Sequence, residues 1–415
     1  MNRVKQSIGL SLALGLSSLA TVAQSVPQPA ALIESITKHV VRSNRHGNSI
    51  TWFHPRACRL PGTDTHSETI LMTKQEISGS DYFGPVHLWE STDRGNTWSA
   101  ATPLAAFERQ PVTEHPGLMA GACDVVPQYH PQTKTVLALG HVVFYRGPKF
   151  SANDQLPRYP VYAVRSVDGS WSERRILEWD DPRGSFIYSN NCGQRIVLPD
   201  GDILLALSFG PESNHRSVAT ARCQFDGQHL KLRQIGPALK LAHGRGLLEP
   251  SLTQFQGRFY LTIRAEDGRG YQSVSDDGLN WAPKEPWRWE DGEALDMSTT
   301  QQHWLTHSEG LFLVYTRKDD SNANVIRWRA PLWMARVDPQ SRRLLRASER
   351  IALPLMGDGI NDPDGVALMG NFHVTNVSAL ESWITVGEWI PRQGARGDLL
   401  TAKIRWNTPN KLLVP

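Results

Sequence analysis

Hydrophobic and polar residues alternate in short runs along most of this chain, which is the pattern typical of β-strands. The runs predicted as strands lie near residues 69–73, 135–145, 161–166, 195–209, 258–264, 311–317, 332–337, 383–388 and 399–406. Turn-forming sequences rich in Pro, Asp and Gly separate them, for example at residues 199–202 and 225–227. Residues 30–41 offer a short helical alternative, and no long segment has a helical period. The pattern therefore predicts a single all-β domain.

One octapeptide, S-T-D-R-G-N-T-W from Ser91 to Trp98, follows an aromatic-rich strand and predicts a stapled hairpin turn. The Asp93 carboxylate can accept backbone N–H groups, Gly95 can adopt a positive φ, and Trp98 can cover the turn. Looser copies occur at residues 166–171 and 274–281. Repetition of one β unit predicts a β-propeller, and the usual length of about 50 residues a blade favours seven blades, with six as the alternative.

The first residues have the features of a signal peptide. Arg3 and Lys5 precede an uncharged apolar stretch that ends in Thr21-Val22-Ala23, a plausible cleavage site. The prediction is a signal peptide over residues 1–23 and a mature propeller domain over 24–415, secreted or periplasmic. The apolar run is short for a membrane span, so no membrane attachment is expected after cleavage, with a retained anchor as the alternative.

Composition excludes some partners and leaves others open. The 44 Lys+Arg nearly cancel the 41 Asp+Glu, and no basic strip appears, so nucleic acid is not an expected partner. We expect a monomer. The four cysteines are Cys58, Cys123, Cys192 and Cys223. They can form two disulfides in an oxidising compartment or remain buried thiols, and the absence of C-x-x-C disfavours a zinc ribbon.

Propellers place ligand sites at the mouth of the central channel, on the loops between strands. His54 stands between Phe53 and Pro55, two residues before Arg56. This pattern suits a general acid/base or nucleophile beside a cation that binds a carboxylate. A histidine bonded to backbone is the structural alternative.

A second candidate group consists of Tyr129, His130, His141 and Tyr145, on either side of a predicted strand. Tyrosine and histidine together suit β-elimination, in which one group removes an acidic α-proton and the other donates to the leaving oxygen. A cation must meanwhile neutralise the carboxylate. No metal-ligand spacing is diagnostic, so no cofactor is expected, although His130 and His141 leave a channel metal ion open.

Candidate substrate-binding residues come from three later segments. Arg264 ends a strand and can bind a carboxylate, or it can pair with a neighbouring acid. Gln302 and His303 precede a tryptophan, which suits sugar hydroxyls and an aromatic platform. Arg317 and Arg329 supply further cations, with exposed loop arginines as the alternative.

Together with the octapeptide, which matches the Asp-box, several segments resemble the sialidase-like family of secreted bacterial β-propellers over essentially the whole mature chain. They lie at residues 52–56, 79–87, 192–202, 301–304, 329–332 and 369–373. The chain is most similar in motif to propellers that act on rhamnose–glucuronate linkages, as α-L-rhamnosidases or as rhamnose–glucuronate lyases. That resemblance implies a catalytic histidine near the mature N-terminus, and His54 is the matching residue.

The resemblance implies an enzyme that degrades an acidic oligo- or polysaccharide, with β-elimination at a uronic acid as the favoured reaction. Hydrolysis of a terminal rhamnose or sialic acid is the first alternative, and a non-catalytic glycan-binding propeller is the second. Sialidases carry an Arg-Ile-Pro motif that this chain lacks. A sialidase site would have to be assembled from residues such as Arg56, Arg264, Arg329, Tyr145 and Asp124.

Overall fold

The computed structural model describes Met1 and residues 31–47, 49–62, 67–394 and 396–413. Apart from Met1, the predicted signal peptide lies outside the described residues. From Leu32 onward the chain forms one compact unit. No helix in these ranges is long and apolar enough to cross a membrane.

Almost all regular structure in the described ranges is β. Blade 1 contains β2 (Trp52–Leu60), β3 (Thr69–Gly79), β4 (Tyr82–Ser91) and β5 (Thr102–Pro103), and β1 (Ile33–Arg42) precedes it. Blade 2 contains β6 (Gln110–Pro111), β7 (Leu118–His130), β8 (Thr135–Arg146), β9 (Pro160–Arg165) and β10 (Arg175–Ile176). Blade 3 contains β11 (Ile187–Ser189), β12 (Ile196–Val197), β13 (Ile203–Gly210), β14 (Ser217–Phe225) and β15 (Leu230–Ile235).

The second half of the chain repeats the arrangement. Blade 4 contains β16 (Leu248–Phe255), β17 (Arg258–Arg264), β18 (Gly270–Ser275) and β19 (Glu285–Pro286). Blade 5 contains β20 (His303–His307), β21 (Gly310–Tyr315), β22 (Leu332–Asp338), β23 (Arg343–Leu344) and β24 (Arg350–Leu353). Blade 6 contains β25 (Phe372–Ser378), β26 (Glu381–Gly387) and β27 (Leu399–Trp406). The described helices are 3₁₀ turns of three residues, at Ala105–Phe107, Ala152–Asp154, Pro182–Gly184, Asp320–Asn322, Ile326–Trp328, Arg346–Ser348, Pro363–Gly365 and Pro391–Gln393.

These strands form six antiparallel sheets of four or five strands, which are the blades of a β-propeller. The all-β propeller prediction is confirmed, and the number of blades is six rather than the favoured seven. The blades are longer than the 50 residues assumed, because residues 32–415 divided among six sheets give about 64 residues a blade. Long strands such as β7 and β8, of 13 and 12 residues, account for part of the difference.

The ring is closed by β1, which pairs antiparallel with β27 as the outer strand of blade 6. The helical alternative for residues 30–41 is therefore wrong. Ile33 belongs to the apolar cluster between blades 5 and 6, together with Phe372 and Trp406. Tertiary packing and the open edge of β27 decide the conformation of this segment against its weak local preference.

The Asp-box turn has the predicted geometry. The Asp93 carboxylate accepts the backbone N–H of Thr97 at 2.9 Å and its hydroxyl at 2.6 Å. The Ser91 hydroxyl accepts the backbone N–H of Gly95 at 2.8 Å. Gly95 has φ +75°, and Trp98 packs against Trp89 and Trp383. The related turn of Asp277 accepts from Leu279 and Asn280 in the same way.

All four cysteines are buried free thiols, so the two-disulfide option is not realised. Each one packs in the hydrophobic interior or beside the channel, where burial alone explains its presence.

Candidate functional site

The inner strands of the blades contact one another around a central channel, and three of them carry a β-bulge at the same end. Pairing shifts register after Phe53 in β2, after Cys123 in β7 and after Leu248 in β16. The next residue in each case has a positive φ, which is uncommon outside glycine: 50° at His54, 52° at Asp124 and 43° at Glu249. A bulge redirects a side chain out of the normal alternation. We call the region around these three side chains the channel mouth.

Asp124 is the centre of the first half of the mouth. Its Oδ1 accepts a hydrogen bond from Arg56 Nη2 at 2.8 Å and lies 3.4 Å from His54 Nε2. Arg56 is fully buried and also donates to the carbonyl of Phe372 at 2.8 Å. Burial opposes ionisation of Asp124, but His54 and Arg56 outweigh it and hold the pKa well below its ordinary range. Asp124 is therefore an anion at neutral pH.

His54 is 4% exposed and lies against the ring of Phe83, with centroids 4.2 Å apart. Its Nδ1 faces Gln75 Oε1 at 3.4 Å, and Gln75 also accepts the backbone N–H of Asp124 at 3.3 Å. Burial lowers the pKa of His54, Asp124 raises it and Arg56 lowers it again, for a net decrease. The two ring nitrogens of His54 thus face Gln75 Oε1 and Asp124 Oδ1, and a neutral imidazole donates to one of them.

His141 lies on β8 directly opposite Cys123, beside the Asp124 bulge. It is 6% exposed, and its Nδ1 has no hydrogen-bond partner among the described residues. Burial lowers its pKa to about 4, against the opposing effect of Asp124. His141 is therefore a neutral imidazole at neutral pH, with a nitrogen available to accept a proton.

Glu249 and Arg264 repeat this arrangement in blade 4. Arg264 lies opposite Leu248, as His141 lies opposite Cys123, and its Nη1 contacts Glu249 Oε1 at 2.5 Å. Burial raises the pKa of Glu249, but the charge and hydrogen bond of Arg264 outweigh burial and lower the pKa overall. This second carboxylate is therefore also ionised. The charge of Asp124 also acts on Glu249, so the two acids are coupled electrostatically.

Arginines from the loops between the second and third long strands of three blades surround these acids. The backbones of Arg158, Arg216 and Arg329 each bond to the segment that begins the next blade, at Phe186, Leu247 and Met369. Arg327 adds a fourth, exposed guanidinium. None of these four side chains forms an ion pair within the described ranges. Arg245, which pairs with Glu266 at 2.5 Å, completes the ring of cations.

Asp81 is an exposed carboxylate at the β3–β4 turn, where it has φ 55°. Its charge acts on His54, Arg158 and Arg329, so it contributes to the electrostatic potential at the mouth. Asp81, Arg158 and Arg216 are not among the residues predicted from the sequence. The only signal available was their position between two predicted strands, which many surface residues share.

His303 begins β20 and contacts β16 two residues after the Glu249 bulge. Its Nδ1 is 3.0 Å from the Ser251 hydroxyl, and its ring packs against Phe372 and His373. Burial and the charge of Arg56 lower its pKa to about 3. His303 therefore lines the channel as a neutral side chain.

The structure brings five of the predicted site residues to the mouth or its wall: His54, Arg56, His141, Arg264 and Arg329. Tyr129 and His130 lie at the opposite end of β7, five or more residues from the bulge. His130 is held there by Thr133 Oγ1 and the carbonyl of Gly201, both at 2.8 Å. These contacts account for His130 and separate it from His141, while Tyr129 packs against the apolar cluster between blades 1 and 2.

The other three predicted residues are also engaged elsewhere. Tyr145 is buried behind the mouth, where its hydroxyl donates to the carbonyl of Asp81 at 3.3 Å and burial raises its pKa. Gln302 accepts from Thr262 at 2.5 Å, between blades 4 and 5. Arg317 is paired with Glu349 at 2.8 Å and stacks on Trp333.

One group of three potential metal-ligand atoms occurs among the described residues, from His54, Cys123 and Asp124, all within 4.8 Å of one another. Arg56 already occupies Asp124 Oδ1 at 2.8 Å, and its positive charge would repel a cation. Burial also raises the pKa of the Cys123 thiol, whereas a metal requires the thiolate. The donor set does not fit a metal ion.

The fold and the mouth define a six-bladed propeller whose channel opens onto a ring of arginines around two buried carboxylates. Residues 86–347 match the BNR repeat-like domain, and the chain belongs to this family. No curated protein sequence matches the chain.

Several solved structures share the fold at low sequence identity. A protein of unknown function from Dyadobacter fermentans DSM 18053 is 14% identical, with TM-score 0.62, over 90% of this chain and 100% of that chain. Trypanosoma rangeli sialidase is 13% identical, with TM-score 0.58, over 90% of this chain and 60% of that chain. Hadza microbial sialidase Hz136 is 13% identical, with TM-score 0.58, over 89% and 68%. At these identities the likeness shows the fold.

Proposed function

We propose that this protein is a carbohydrate-active enzyme that cleaves a linkage to a carboxylate-bearing sugar at the channel mouth. The observation that carries the proposal is the set of arginines without ion pairs that faces two ionised carboxylates, Asp124 and Glu249. Guanidinium groups bind carboxylates through paired hydrogen bonds. A ring of such groups with unused donors suits an anionic ligand better than a neutral one.

Glycoside hydrolysis is the reaction that this geometry supports best. Arg264 and Arg329 would bind the sugar carboxylate, with Arg264 held in position by Glu249. The ionised acids would stabilise positive charge that develops at the anomeric carbon. Asp81 is the carboxyl group on the open side of the mouth and is the candidate for contact with the leaving group. Sialidases among the structural relatives add support, because sialic acid carries a carboxylate.

β-Elimination at a uronic acid is the second candidate, and one observation favours it. His141 is neutral at physiological pH and has a ring nitrogen without a partner, so it can accept the proton next to a carboxylate. Arg264 and Arg329 would neutralise the sugar carboxylate and so stabilise the resulting anion. A glycan-binding propeller without activity remains the third candidate.

One assay separates the three candidates. Purified residues 24–415 would be incubated with sialosides and with rhamnose–glucuronate polysaccharides, while ultraviolet absorbance and chromatography follow the products. New reducing ends without absorbance support hydrolysis, and absorbance from an unsaturated uronate supports elimination. Binding without any product on either panel would contradict both enzymatic proposals.

Variants connect the activity to the mouth. Glu249→Gln removes the carboxylate that positions Arg264, and we expect a fall in kcat/KM of at least about 100-fold. Glu173→Gln, an exposed carboxylate in the loop before β10, is the matched control and should retain full activity. Equal activity of the two variants would exclude the mouth as the active site. Secretion or periplasmic location and the monomeric state remain predictions.

A further inference from the structure

We infer that the mouth contains a second anion subsite, formed by Arg158 and Arg216, and that the ligand therefore carries two negative groups. The inference rests on the proposed function, since it assigns a second group to the same ligand. The first group would be the carboxylate bound on the side of blades 4 and 5, by Arg264 and Arg329.

The backbone fixes both arginines of this subsite. Arg158 and Arg216 leave equivalent loops of blades 2 and 3, and each forms a parallel bridge to the start of the next blade, at Ile187 and Gly246. The Arg216 carbonyl accepts from Leu247 at 2.9 Å, and its Nε donates to the carbonyl of Ser213 at 2.9 Å. Two adjacent blades thus present guanidinium groups from fixed positions.

The subsite has no ion-paired counter-charge, although the charge of Asp81 acts on Arg158 and that of Glu249 acts on Arg216. Arg216 is 7% exposed, and Arg158 Nε is buried with no hydrogen-bond partner within the described ranges. Neither side chain forms an ion pair there. The charges of Arg158 and Arg245 act on Arg216 and, after burial, lower its pKa. Buried cations that repel one another are stabilised when an anion binds between them.

One carboxylate cannot use all of the available donors. A carboxylate has two oxygens with about four acceptor sites, whereas each guanidinium carries five N–H donors. Arg264, Arg327 and Arg329 together already offer more donors than one carboxylate can accept, and Arg158 and Arg216 come from other blades. A ligand with two anionic groups uses both sets. The second group is either another uronate carboxylate or a sulfate ester, since the guanidinium fork suits both.

The test compares the affinities of three probes by calorimetry: methyl glucuronide, digalacturonate and a methyl glucuronide that carries one sulfate. We expect wild-type protein to bind one of the dianionic probes at least about tenfold more tightly than methyl glucuronide. The preferred probe identifies the second group as carboxylate or sulfate. Similar affinities for all three probes would overturn the inference.

Variants locate the effect. Arg158→Gln and Arg216→Gln should reduce affinity for the preferred dianionic probe about tenfold and leave methyl glucuronide binding unchanged. Arg329→Gln should weaken all three probes. Arg350→Gln removes an exposed cation from β24 and should change nothing. A thermal melt and the charge-retaining Arg216→Lys variant separate lost binding from lost folding.

The outcomes also separate this inference from the proposed function. Turnover on the substrate panel with equal affinity for the mono- and dianionic probes contradicts the second subsite and leaves the enzyme assignment intact. Selective loss of dianion binding in Arg158→Gln, without turnover on the panel, supports the subsite and contradicts the enzyme. A similar loss for all probes in Arg158→Gln would show that this arginine belongs to the first site and would overturn the inference.

Discussion

At the scale of single residues, charge pairing decides which side chains hold the mouth together. Arg56 is fully buried, and its ionic partner is Asp124, whose side chain is 15% exposed. The surface pair of Arg222 and Asp200 has side chains that are 36% and 55% exposed. The two pairs have the same chemistry in different surroundings, so the energetic cost of losing them differs.

Asp124→Asn should lower the free energy of unfolding by about 3–5 kcal/mol, because it leaves the buried charge of Arg56 without an ionic partner. Asp200→Asn is the control, and its cost should stay below about 1 kcal/mol, because water screens the exposed pair. Chemical denaturation of both variants at pH 7 measures the difference. Equal costs would mean that Arg56 is solvated in the folded protein, contrary to its burial.

Lys74 is a second buried basic side chain, without any ionic partner among the described residues. Its Nζ is buried without a hydrogen bond, against the rings of Trp52 and Trp89. Burial lowers its pKa to about 5, so the folded protein holds a neutral amine where the unfolded chain is charged. This lost protonation weakens folding at every pH between about 5 and the ordinary lysine value.

Lys74→Met should therefore raise the free energy of unfolding at pH 7 by at least about 1–3 kcal/mol, as it removes an unsatisfied buried polar group. The gain should shrink toward pH 10, where the unfolded lysine also loses its proton. Lys403→Met is the control, because Lys403 lies over Trp383 but is partly exposed and donates to the carbonyl of Arg94. Thermal unfolding across this pH range gives the result. A destabilised Lys74→Met protein would show that the amine is charged and favourable in its aromatic surroundings.

At the scale of the element, the Asp-box turn depends on glycine at one position. Gly95 has φ +75°, and a Cβ there would lie 2.7 Å from Cη2 of Trp383. Gly257 has φ +80°, and a Cβ there would meet no atom within 4 Å, so this position isolates the backbone effect. Both substitutions to alanine strain the backbone, and one of them also disturbs the packing between blades.

Gly257→Ala should cost about 1–2 kcal/mol of unfolding free energy from the positive φ alone. Gly95→Ala should cost at least about 1 kcal/mol more, since Trp383 must also move. Urea denaturation of the two variants compares them directly. A Gly95→Ala protein as stable as Gly257→Ala would show that the tryptophan adjusts freely and does not staple this corner.

Local features were predictable from the sequence because the residues that create them are close together in the chain. The hydrogen bonds of the Asp-box form within eight residues, and each strand shows its alternation of hydrophobic and polar residues within its own short segment. The blade count was not predictable to one unit, since it depends on loop and strand lengths that local pattern does not fix. The segment of β1 was ambiguous because its partner, β27, lies more than 350 residues away.

Membership of the mouth was predicted in part, and register explains the failures. His141 and His130 lie on adjoining strands, but β7 and β8 are so long that one reaches the mouth and the other reaches the opposite turn. Arg317 and Arg329 belong to one loop, but Arg317 forms an ion pair with Glu349, whereas the Arg329 side chain interacts with the charges of the mouth. A pattern of residue types does not predict such ion pairs. It does not predict the bulges at His54, Asp124 and Glu249 either, because these are defined by backbone pairing and φ angles.

At the scale of the whole molecule, the channel concentrates buried histidines contributed by several blades. His54, His141, His303 and His373 come from blades 1, 2, 5 and 6, and each is at most 6% exposed. Burial lowers the pKa of all four, to about 4 for His141 and about 3 for His303. The propeller therefore holds these imidazoles neutral in the region where its blades meet.

This arrangement predicts a loss of stability in mild acid. Below the ordinary histidine pKa of about 6.5 these histidines are protonated in the unfolded chain but stay neutral in the folded protein. The free energy of unfolding therefore decreases as pH falls. Each histidine contributes roughly 1.4 kcal/mol per pH unit between about 6.5 and its folded pKa. Asp124 does not contribute to the loss of stability between pH 6.5 and 4.5. Its folded pKa lies below the ordinary aspartate value, so its stabilisation is lost only at lower pH.

Denaturation midpoints should stay nearly level from pH 8 to 7 apart from the Lys74 contribution, and fall from pH 6.5 to 4.5. His303→Gln should reduce that slope by one proton while leaving the curve above pH 7 parallel to wild type. An unchanged slope would mean that His303 takes up its proton in the folded channel, and that water reaches the propeller axis.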